Sequence, residues 1–287
     1  MAGTFKVACI QTSSTREVGE NVAAVSAQIA RARAEGADLI CTPENTGLME
    51  PNRALRLQKA EPEASSRALA GFREAAAKSG AWVLIGSLAI KLEGDKLANR
   101  SFLLDGSGNV VAKYDKIHMF DVDLAGGESY RESATFRPGD RAVLAETPWG
   151  PLGMTVCYDL RFAYLYRALA HAGALFLSIP SAFTRPTGSA HWHVLMRARA
   201  IETGCYVFAP AQCGEHAEGR KTYGHSLIVA PWGEVLADGG EQVGIISADI
   251  DVAKVHEARR MVPSLQHERP YAAPVPIAKP GLRAAGD

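Results

Sequence analysis

The sequence has no excess of charge of either sign and no apolar run that approaches the length of a membrane span. Lys and Arg together number 31, and so do Asp and Glu. This balance gives no electrostatic reason to expect binding to nucleic acid or to an anionic membrane. A spanning helix needs about 20 apolar residues in a row, and the N-terminus lacks the layout of a secretory signal. We therefore expect a cytoplasmic protein with neither nucleic acid nor membrane as a partner.

Cofactor and disulfide signatures are also missing. The five cysteines are an odd number, widely spaced along 287 residues, which fits reduced thiols better than a disulfide framework. The chain contains no HExxH, no zinc-type ligand spacing, no GxGxxG and no P-loop pattern. Without such spacing, His118, His191, His193 and His225 are expected to pack or to be hydrogen-bonded. The sequence therefore predicts no metal and no cofactor.

What the chain does contain is an alternation of apolar, β-branched segments with segments of helical period. This alternation predicts an α/β protein with a layered core, and no linker divides it. The predicted strands cover residues 5–10, 38–42, 82–90, 101–105, 110–114, 174–180, 205–211, 226–230 and 234–237. The predicted helices cover residues 21–35, 64–79, 158–171 and 190–203.

Three regions are richer in Gly, Pro and charge than the rest. Residues 126–140 and 212–222 are predicted to be long loops, which in compact domains are more often functional than not. The third region begins at Pro263 and contains five prolines. We expect one domain over residues 1–271 and a Pro-rich tail over 272–287, which either wraps a partner subunit or is a loosely ordered end.

Three reactive side chains occur where predicted strands end. Glu44 follows the strand at 38–42, Lys116 follows the strand at 110–114, and Cys157 ends a separate apolar run. Because the carboxyl ends of strands line the ligand crevice of open α/β sheets, we expect the three to converge there. Taken alone, Cys157 is more often a small buried apolar residue, Glu44 a helix cap and Lys116 part of a solvated turn.

Together, a carboxylate, an ammonium and a thiol favour acyl transfer or hydrolysis through a thioester. Glu44 would take the thiol proton as general base and pass it to a leaving amine as general acid. Lys116 and the backbone N–H of Tyr158 would hold the oxyanion of the tetrahedral intermediate. Because Cys157 precedes a predicted helix, we also expect the pKa of its thiol to be lowered.

Three sequence blocks resemble the signatures of the nitrilase superfamily of carbon–nitrogen hydrolases. They are PE at residues 43–44, YDKIHMFD at 114–121 and GMTVCYDLRF at 153–162, in that family's order and at its usual separations. The resemblance extends over roughly residues 5–271. It implies a four-layer α-β-β-α sandwich and a homodimer or higher homo-oligomer.

The same resemblance implies roles for particular residues. Glu44, Lys116 and Cys157 match the family's Glu–Lys–Cys triad. A second glutamate is implied in the loop after the lysine block, where the stretch YRES matches and assigns Glu132 rather than Glu128.

The later half of the chain resembles one branch of that superfamily, the deaminated glutathione amidases. The matching segments lie at residues 180–183, 187–192, 197–203, 211–214, 223–226 and 231–233. The branch implies a small-molecule amide substrate whose cleavage yields α-ketoglutarate and cysteinylglycine. Three alternatives stay open: an ω-amidase acting on α-ketoglutaramate or α-ketosuccinamate, an N-carbamoyl amino acid hydrolase, and a catalytically silent scaffold of the same fold.

Substrate contacts are expected from residues close to the nucleophile. Tyr158 and Phe183 are candidates for the pocket lining, although aromatics beside a core usually serve packing. Arg161 lies about one helical turn after Cys157 and has three interpretations: a pair with an active-site glutamate, a clamp on a substrate carboxylate, or a structural ion pair. Residues 45–50 depart from the aromatic-containing stretch of the family and are expected near the substrate.

Overall fold

The chain forms two large β-sheets with helices on their outer faces. The computed structural model describes residues 3–124 and 127–274. Within these residues the strands are β1 (Thr4–Gln11), β2 (Leu39–Cys41), β3 (Trp82–Lys91), β4 (Leu97–Leu104), β5 (Val110–Asp115), β6 (Asp121–Asp123), β7 (Ser129–Arg131), β8 (Val143–Ala145), β9 (Leu152–Met154), β10 (Phe176–Ser178), β11 (Tyr206–Ala209), β12 (Cys213–Glu215), β13 (Lys221–Tyr223), β14 (Leu227–Val229), β15 (Val235–Asp238) and β16 (Gly244–Asp251). The α-helices are α1 (Val18–Ala34), α2 (Arg53–Lys59), α3 (Arg67–Ser79), α4 (Ala163–His171), α5 (Arg185–Thr203) and α6 (Ala253–Met261).

Each large sheet has six strands and a parallel centre. The strand orders are β16-β1-β2-β3-β4-β5 and β15-β14-β11-β10-β9-β8. Strands β1, β2 and β3 are parallel to one another, as are β9, β10 and β11, and the outer strands pair antiparallel. Helices α1 and α3 pack on the first sheet, and α4 and α5 pack on the second. The predicted four-layer α-β-β-α fold is therefore confirmed.

Side chains of the first sheet alternate between two cores, because successive residues of a strand point to opposite faces. In β1, Val7 and Cys9 belong to the core between the sheets, whereas Ala8 and Ile10 pack with the residues of α1 and α3. The core between the sheets continues through the second sheet to α4 and α5. A shift of one residue would exchange the two sets, so the apolar pattern specifies the strand register.

The predicted helix at 190–203 begins five residues earlier than expected, at Arg185. Pro186 lies in the added turn, where a missing N–H costs no intrahelical hydrogen bond. Gly188 follows it and packs closely on Tyr223. A Cβ at Gly188 would lie 2.3 Å from the Tyr223 side chain, so glycine lets α5 approach β13.

Some elements were not predicted from the sequence. Strand β16 pairs with β1 over eight residues, from Thr4 opposite Asp251 to Gln11 opposite Gly244, and α6 follows it. The long loops expected at 126–140 and 212–222 contain short paired strands, because β7 pairs with β6 and β13 with β12.

Two further expectations concern membranes and the tail. No helix within the ranges that the structure covers is both long and apolar enough to cross a membrane. Most of the predicted tail, residues 275–287, lies outside the described residues. Its role therefore stays a prediction.

Candidate active site

A cavity of about 790 Å³ opens where strands of both sheets end. Six of the predicted site residues line it: Glu44, Lys116, Glu132, Cys157, Tyr158 and Phe183. The first two follow strands of the first sheet, and the cysteine follows β9 of the second sheet. The structure thus brings the acid, the ammonium and the thiol into one hollow between the sheets.

Glu44 is held by close backbone packing against β3. A Cβ added at Gly86 would lie 2.0 Å from the carbonyl oxygen of Thr42, so only glycine permits this approach. The hydroxyl of Ser87 accepts a 2.9 Å hydrogen bond from the N–H of Asn45. These contacts fix the turn after β2, and only 3% of Glu44 remains exposed.

Lys116 lies between two glutamates. Its Nζ is 3.1 Å from Oε1 of Glu44, and 3.0 and 2.7 Å from the two carboxylate oxygens of Glu132. Only 2% of Lys116 is exposed, so the alternative of a solvated turn is wrong. Glu128 is exposed and accepts a hydrogen bond from the Tyr130 hydroxyl. The geometry therefore puts Glu132, and not Glu128, beside the ammonium.

Asn99, in β4, bridges the same two glutamates and was missed in the sequence. Its Nδ2 donates to Glu44 Oε1 at 2.9 Å and to Glu132 Oε1 at 3.0 Å. The backbone carbonyl oxygen of Asn99 accepts a 3.0 Å hydrogen bond from the backbone N–H of Lys116. Asparagine is depleted in strands, and a buried amide needs hydrogen-bond partners. An asparagine inside an apolar strand was the signal that could have identified it.

The charges in this cluster act on one another's pKa values. Burial by itself would raise the pKa of Glu44, but the Lys116 charge and hydrogen bonds from Cys157 and Asn99 hold it below its usual value. Burial would lower the pKa of Lys116, but Glu132 and Glu44 raise it above its usual value. At neutral pH the cluster therefore contains a carboxylate and an ammonium.

Cys157 lies in a strained turn shortly after β9. Its φ is +51°, in the left-handed region that residues with a Cβ rarely adopt. The Cys157 N–H donates a 2.9 Å hydrogen bond to the carbonyl of Pro180, which holds the turn. The next N–H, that of Tyr158, has no acceptor among the described residues. This N–H is available to an oxyanion that forms next to the sulfur.

Two expectations for Cys157 are wrong. The segment expected as one helix over 158–171 is a short 3₁₀ helix, Cys157–Arg161, and then α4, with Phe162 in a non-helical conformation between them. The pKa of the thiol is raised rather than lowered, because burial and the Glu44 carboxylate outweigh the Lys116 charge. A helix this short has too small a dipole to reverse the effect of burial. The thiol is protonated at neutral pH, so its attack requires a base.

Asp159 is fully buried and connects the Cys157 turn with the segment around Lys116. One carboxylate oxygen accepts hydrogen bonds from the Tyr114 hydroxyl and from the N–H of Val156. The other accepts a hydrogen bond from the N–H of His118 and lies 2.7 Å from Nδ1 of its ring. The aspartate thereby joins two of the three sequence blocks.

The three predicted substrate contacts do not all reach the cavity. Tyr158 and Phe183 line it, but Arg161 is not among the described residues that do. The Arg161 guanidinium lies 5.8 and 5.6 Å from the centroids of these two rings and 3.3 Å from Nδ1 of His191. It forms no salt bridge with any residue that the structure describes, so neither ion pair expected for it is found.

His193 and His225 meet at Asp238, away from the cavity. Nε2 of His193 is 3.0 Å from one carboxylate oxygen, and Nδ1 of His225 is 2.9 Å from the other. The three side chains offer ligand atoms within 4.8 Å of one another, close enough to hold a metal ion. Each imidazole is hydrogen-bonded to the carboxylate, which is the state expected of these histidines from the sequence.

Comparison with known proteins identifies the family. A family model described as carbon-nitrogen hydrolase matches residues 6–260. A deaminated glutathione amidase of Yersinia enterocolitica is 40% identical over 273 residues, covering 94% of this chain and 95% of that protein. Among solved structures, the NitFhit protein of C. elegans has a TM-score of 0.88 and 36% identity, covering 94% of this chain and 66% of that chain.

A further solved structure bears on the chemistry of the family. A mutant of an amidase from Nesterenkonia sp. AN1 has a TM-score of 0.79 and 25% identity, covering 92% of this chain and 94% of that chain. It carries the acetamide moiety of fluoroacetamide, covalently added at the active-site cysteine. The family model spans most of the sequence and these relatives agree with it, so the chain belongs to the carbon–nitrogen hydrolase family of enzymes, as the three sequence blocks predicted.

Proposed function

We propose that the protein hydrolyses an amide through a thioester on Cys157. The observation that carries the proposal is that Cys157 lines the same cavity as Glu44, whose carboxylate is hydrogen-bonded to Lys116, which in turn is held by Glu132. The sulfur attacks the carbonyl carbon of the amide while the thiol proton passes to the Glu44 carboxylate. This base is needed because burial raises the pKa of the thiol.

The remaining steps use the same groups. The Lys116 ammonium and the N–H of Tyr158 stabilise the oxyanion. The carbon–nitrogen bond then breaks, and Glu44 returns the proton to the leaving amine, which leaves the acyl group on Cys157. Water attacks this thioester with Glu44 again as base, which releases the acid and restores the thiol. Glu132 orients Lys116 and keeps it charged.

We further propose deaminated glutathione as the substrate, with α-ketoglutarate and cysteinylglycine as products. The name and the 40% identity of the Yersinia relative, which aligns over nearly its whole length, support this substrate. The cavity of about 790 Å³ is in the size range of sites that enclose small molecules. Leu48 and Met49, from the segment expected near the substrate, line this cavity.

A substrate panel tests the proposal. The purified protein is assayed with deaminated glutathione, α-ketoglutaramate and an N-carbamoyl amino acid, and kcat/KM is compared. We expect the value for deaminated glutathione to be highest, by about tenfold or more. If kcat/KM is higher for α-ketoglutaramate, the protein is an ω-amidase, and if it is higher for the carbamoyl compound, the protein is an N-carbamoyl amino acid hydrolase. No turnover of any compound favours a catalytically silent scaffold.

Mass spectrometry tests the nucleophile separately. A reaction stopped with acid should contain an acyl group on the peptide that includes Cys157. The Cys157→Ala variant should form no adduct and release no product. Turnover by that variant would falsify the assignment.

We also propose a homodimer in the cytoplasm. The five cysteines are free, in keeping with a reducing compartment. Val194, Ile201 and Trp232 expose apolar side chains on and beside α5, and such surface is typical of an interface. Light scattering after size-exclusion chromatography should give twice the chain mass of 30.6 kDa, and a monomer mass would contradict the dimer.

A further inference from the structure

Most of the cations that line the cavity already have acidic partners. Salt bridges join Lys116 to Glu44 and Glu132, Arg131 to Asp123, Arg185 to Glu241, and Lys221 to Glu215. Among the described residues, Arg53, Arg56 and Arg220 line the cavity without a salt bridge. Arg53 is exposed at the rim, whereas Arg56 and Arg220 are both half-buried. Within the described part of the chain, the last two are therefore the interior cavity cations that form no salt bridge.

Arg220 lies close to the proposed base and has an unused donor. Its Nη2 donates a 3.2 Å hydrogen bond to the carbonyl of Ala182, whose N–H donates to Glu44 at 3.0 Å. The guanidinium lies 5.7 Å from the centroid of the Tyr130 ring. Its Nε is buried and has no hydrogen-bond partner within the described part of the chain. A buried donor without an acceptor is unfavourable, so this group gains from a ligand oxygen.

Arg56 approaches the same space from α2. It donates to the backbone carbonyls of Glu50 and Pro51, and its guanidinium lies 5.4 Å from the centroid of the Phe136 ring. These partners are neutral. Burial and the charge of Arg220 lower the pKa of Arg56, although the charges of Glu132, Glu50 and Glu44 act in the opposite direction. Arg56 and Arg220 line the same cavity, so their like charges repel each other less when an anion binds between them.

We infer that Arg56 and Arg220 form a subsite that binds a carboxylate of the substrate. The inference rests on the proposed amidase function. Guanidinium groups bind carboxylates in a planar, two-pronged geometry. The Glu44 and Glu132 side chains outnumber the Lys116 ammonium that they contact, so without the arginines the site would repel an anionic substrate. The pair offsets that repulsion and favours acids over uncharged amides.

Two carboxylates of deaminated glutathione are candidates for this subsite. One belongs to the 2-oxo acid half, and the other is the glycine end of the leaving dipeptide. The experiment compares Arg220→Gln with the parent protein on the diacid and on its two monoesters. On the diacid, Arg220→Gln should lower kcat/KM by about 10- to 100-fold, mainly by raising KM. Arg220→Lys should recover part of the loss, because lysine keeps the positive charge but lacks the planar guanidinium that binds a carboxylate through two N–H groups.

The monoesters decide between binding and a general structural effect. One monoester has the subsite's carboxylate esterified. For that monoester, kcat/KM of the parent protein should be lower than for the diacid, and Arg220→Gln should lower it no further. The ester that behaves this way identifies which end the subsite holds. A loss of equal size on the diacid and on both monoesters would overturn the inference.

Lys221→Gln is the matched control. It removes one positive charge from the neighbouring residue, whose ammonium already pairs with Glu215 at 3.5 Å. This variant should keep kcat/KM for the diacid within about twofold of the parent value. A loss as large as that of Arg220→Gln would mean that general charge, and not the arginine pair, attracts the substrate, which would also overturn the inference.

A binding measurement separates this subsite from the proposed function. Calorimetry on Cys157→Ala with deaminated glutathione, repeated after adding Arg220→Gln, needs no turnover. A Kd about tenfold or more weaker with Arg220→Gln supports the subsite, even if the parent protein fails to hydrolyse the compound. An unchanged Kd, or no measurable binding in either protein, contradicts it.

Discussion

Tyr114 and Asp159 are 45 residues apart in the chain, yet the Tyr114 hydroxyl donates a 2.7 Å hydrogen bond to the Asp159 carboxylate. Tyr114 belongs to β5 of the first sheet, and Asp159 follows β9 of the second. Lys116 and Cys157 each lie two residues from one of the partners. The bond therefore fixes the spacing between the ammonium and the sulfur without taking part in the chemistry.

Replacing Asp159 with Asn should lower stability. The carboxylate accepts hydrogen bonds from Tyr114, Val156 and His118, and the new amide N–H₂ would face some of these donors. We expect the free energy of unfolding to fall by about 2–4 kcal/mol, measured by urea titration. Tyr114→Phe removes one donor and should cost about 1 kcal/mol. The prediction fails if Asp159→Asn unfolds at the parent midpoint.

Replacing Asn99 with Ala should move the acidic limb of the pH profile of kcat/KM to higher pH. Glu44 acts as a carboxylate, so activity is present above its pKa and is lost as pH falls through that pKa. Burial raises the pKa of Glu44, whereas Lys116 and hydrogen bonds from Cys157 and Asn99 hold it below its usual value. Without Asn99 the pKa rises, and the loss begins at higher pH. Initial rates over about pH 4 to 8 measure the limb.

Asn109→Ala is the control for this experiment. Asn109 lies in the exposed turn after β4, where its side chain donates to Asp105. Its replacement should leave the acidic limb where it is. An acidic limb that is also unmoved in Asn99→Ala would show that the hydrogen bond does not tune Glu44.

Replacing Glu132 with Gln should reduce kcat by about 100-fold or more, because Lys116 loses one of its two anionic partners and its orientation. Glu128→Gln changes the same residue type within the same cavity lining, four residues away. Glu128 contacts the Tyr130 hydroxyl and not Lys116, so its kcat should stay within about threefold of the parent value. Steady-state kinetics compare the variants, and equal losses would refute the assignment of Glu132.

Replacing Gly86 with Ala should destabilise the protein and abolish most activity. The new Cβ would lie 2.0 Å from the carbonyl oxygen of Thr42, so the turn that carries Glu44 must move. We expect a loss of about 2–4 kcal/mol, read from thermal unfolding. Gly244→Ala, at the start of β16, meets no atom within 4 Å and should leave the Tm nearly unchanged. A Gly86→Ala protein that melts with the parent would contradict the steric argument.

Apolar periodicity was sufficient to predict most of the strands, and it failed where an element depends on distant partners. The alternation of Val7, Ala8, Cys9 and Ile10 reports two buried faces of one strand. Strand β16 is mostly half-exposed, and its partner β1 lies at the other end of the chain. No local pattern reveals such a pairing, because the pairing is a property of the whole sheet.

The sequence was sufficient to predict the site residues that lie at the ends of strands. Glu44, Lys116 and Cys157 each follow an apolar run, and family signatures surround them. Asn99 stands out as a polar residue in an apolar strand, but its partners could not be assigned, because its contacts depend on the register of β3, β4 and β5. The predicted direction of the pKa shift of the Cys157 thiol was wrong for a related reason. Position before a helix can be read from a sequence, whereas the depth of burial cannot.

The pairing of β1 with β16 has a consequence for biosynthesis. Strand β1 leaves the ribosome long before its antiparallel neighbour β16, which ends at Asp251. Until that residue has emerged, β1 presents an open edge to other nascent chains. The sheet that supplies both the acid and the ammonium is completed only well after Cys157 has been synthesised, so a chain that stops before Asp251 has the sulfur without a finished catalytic centre.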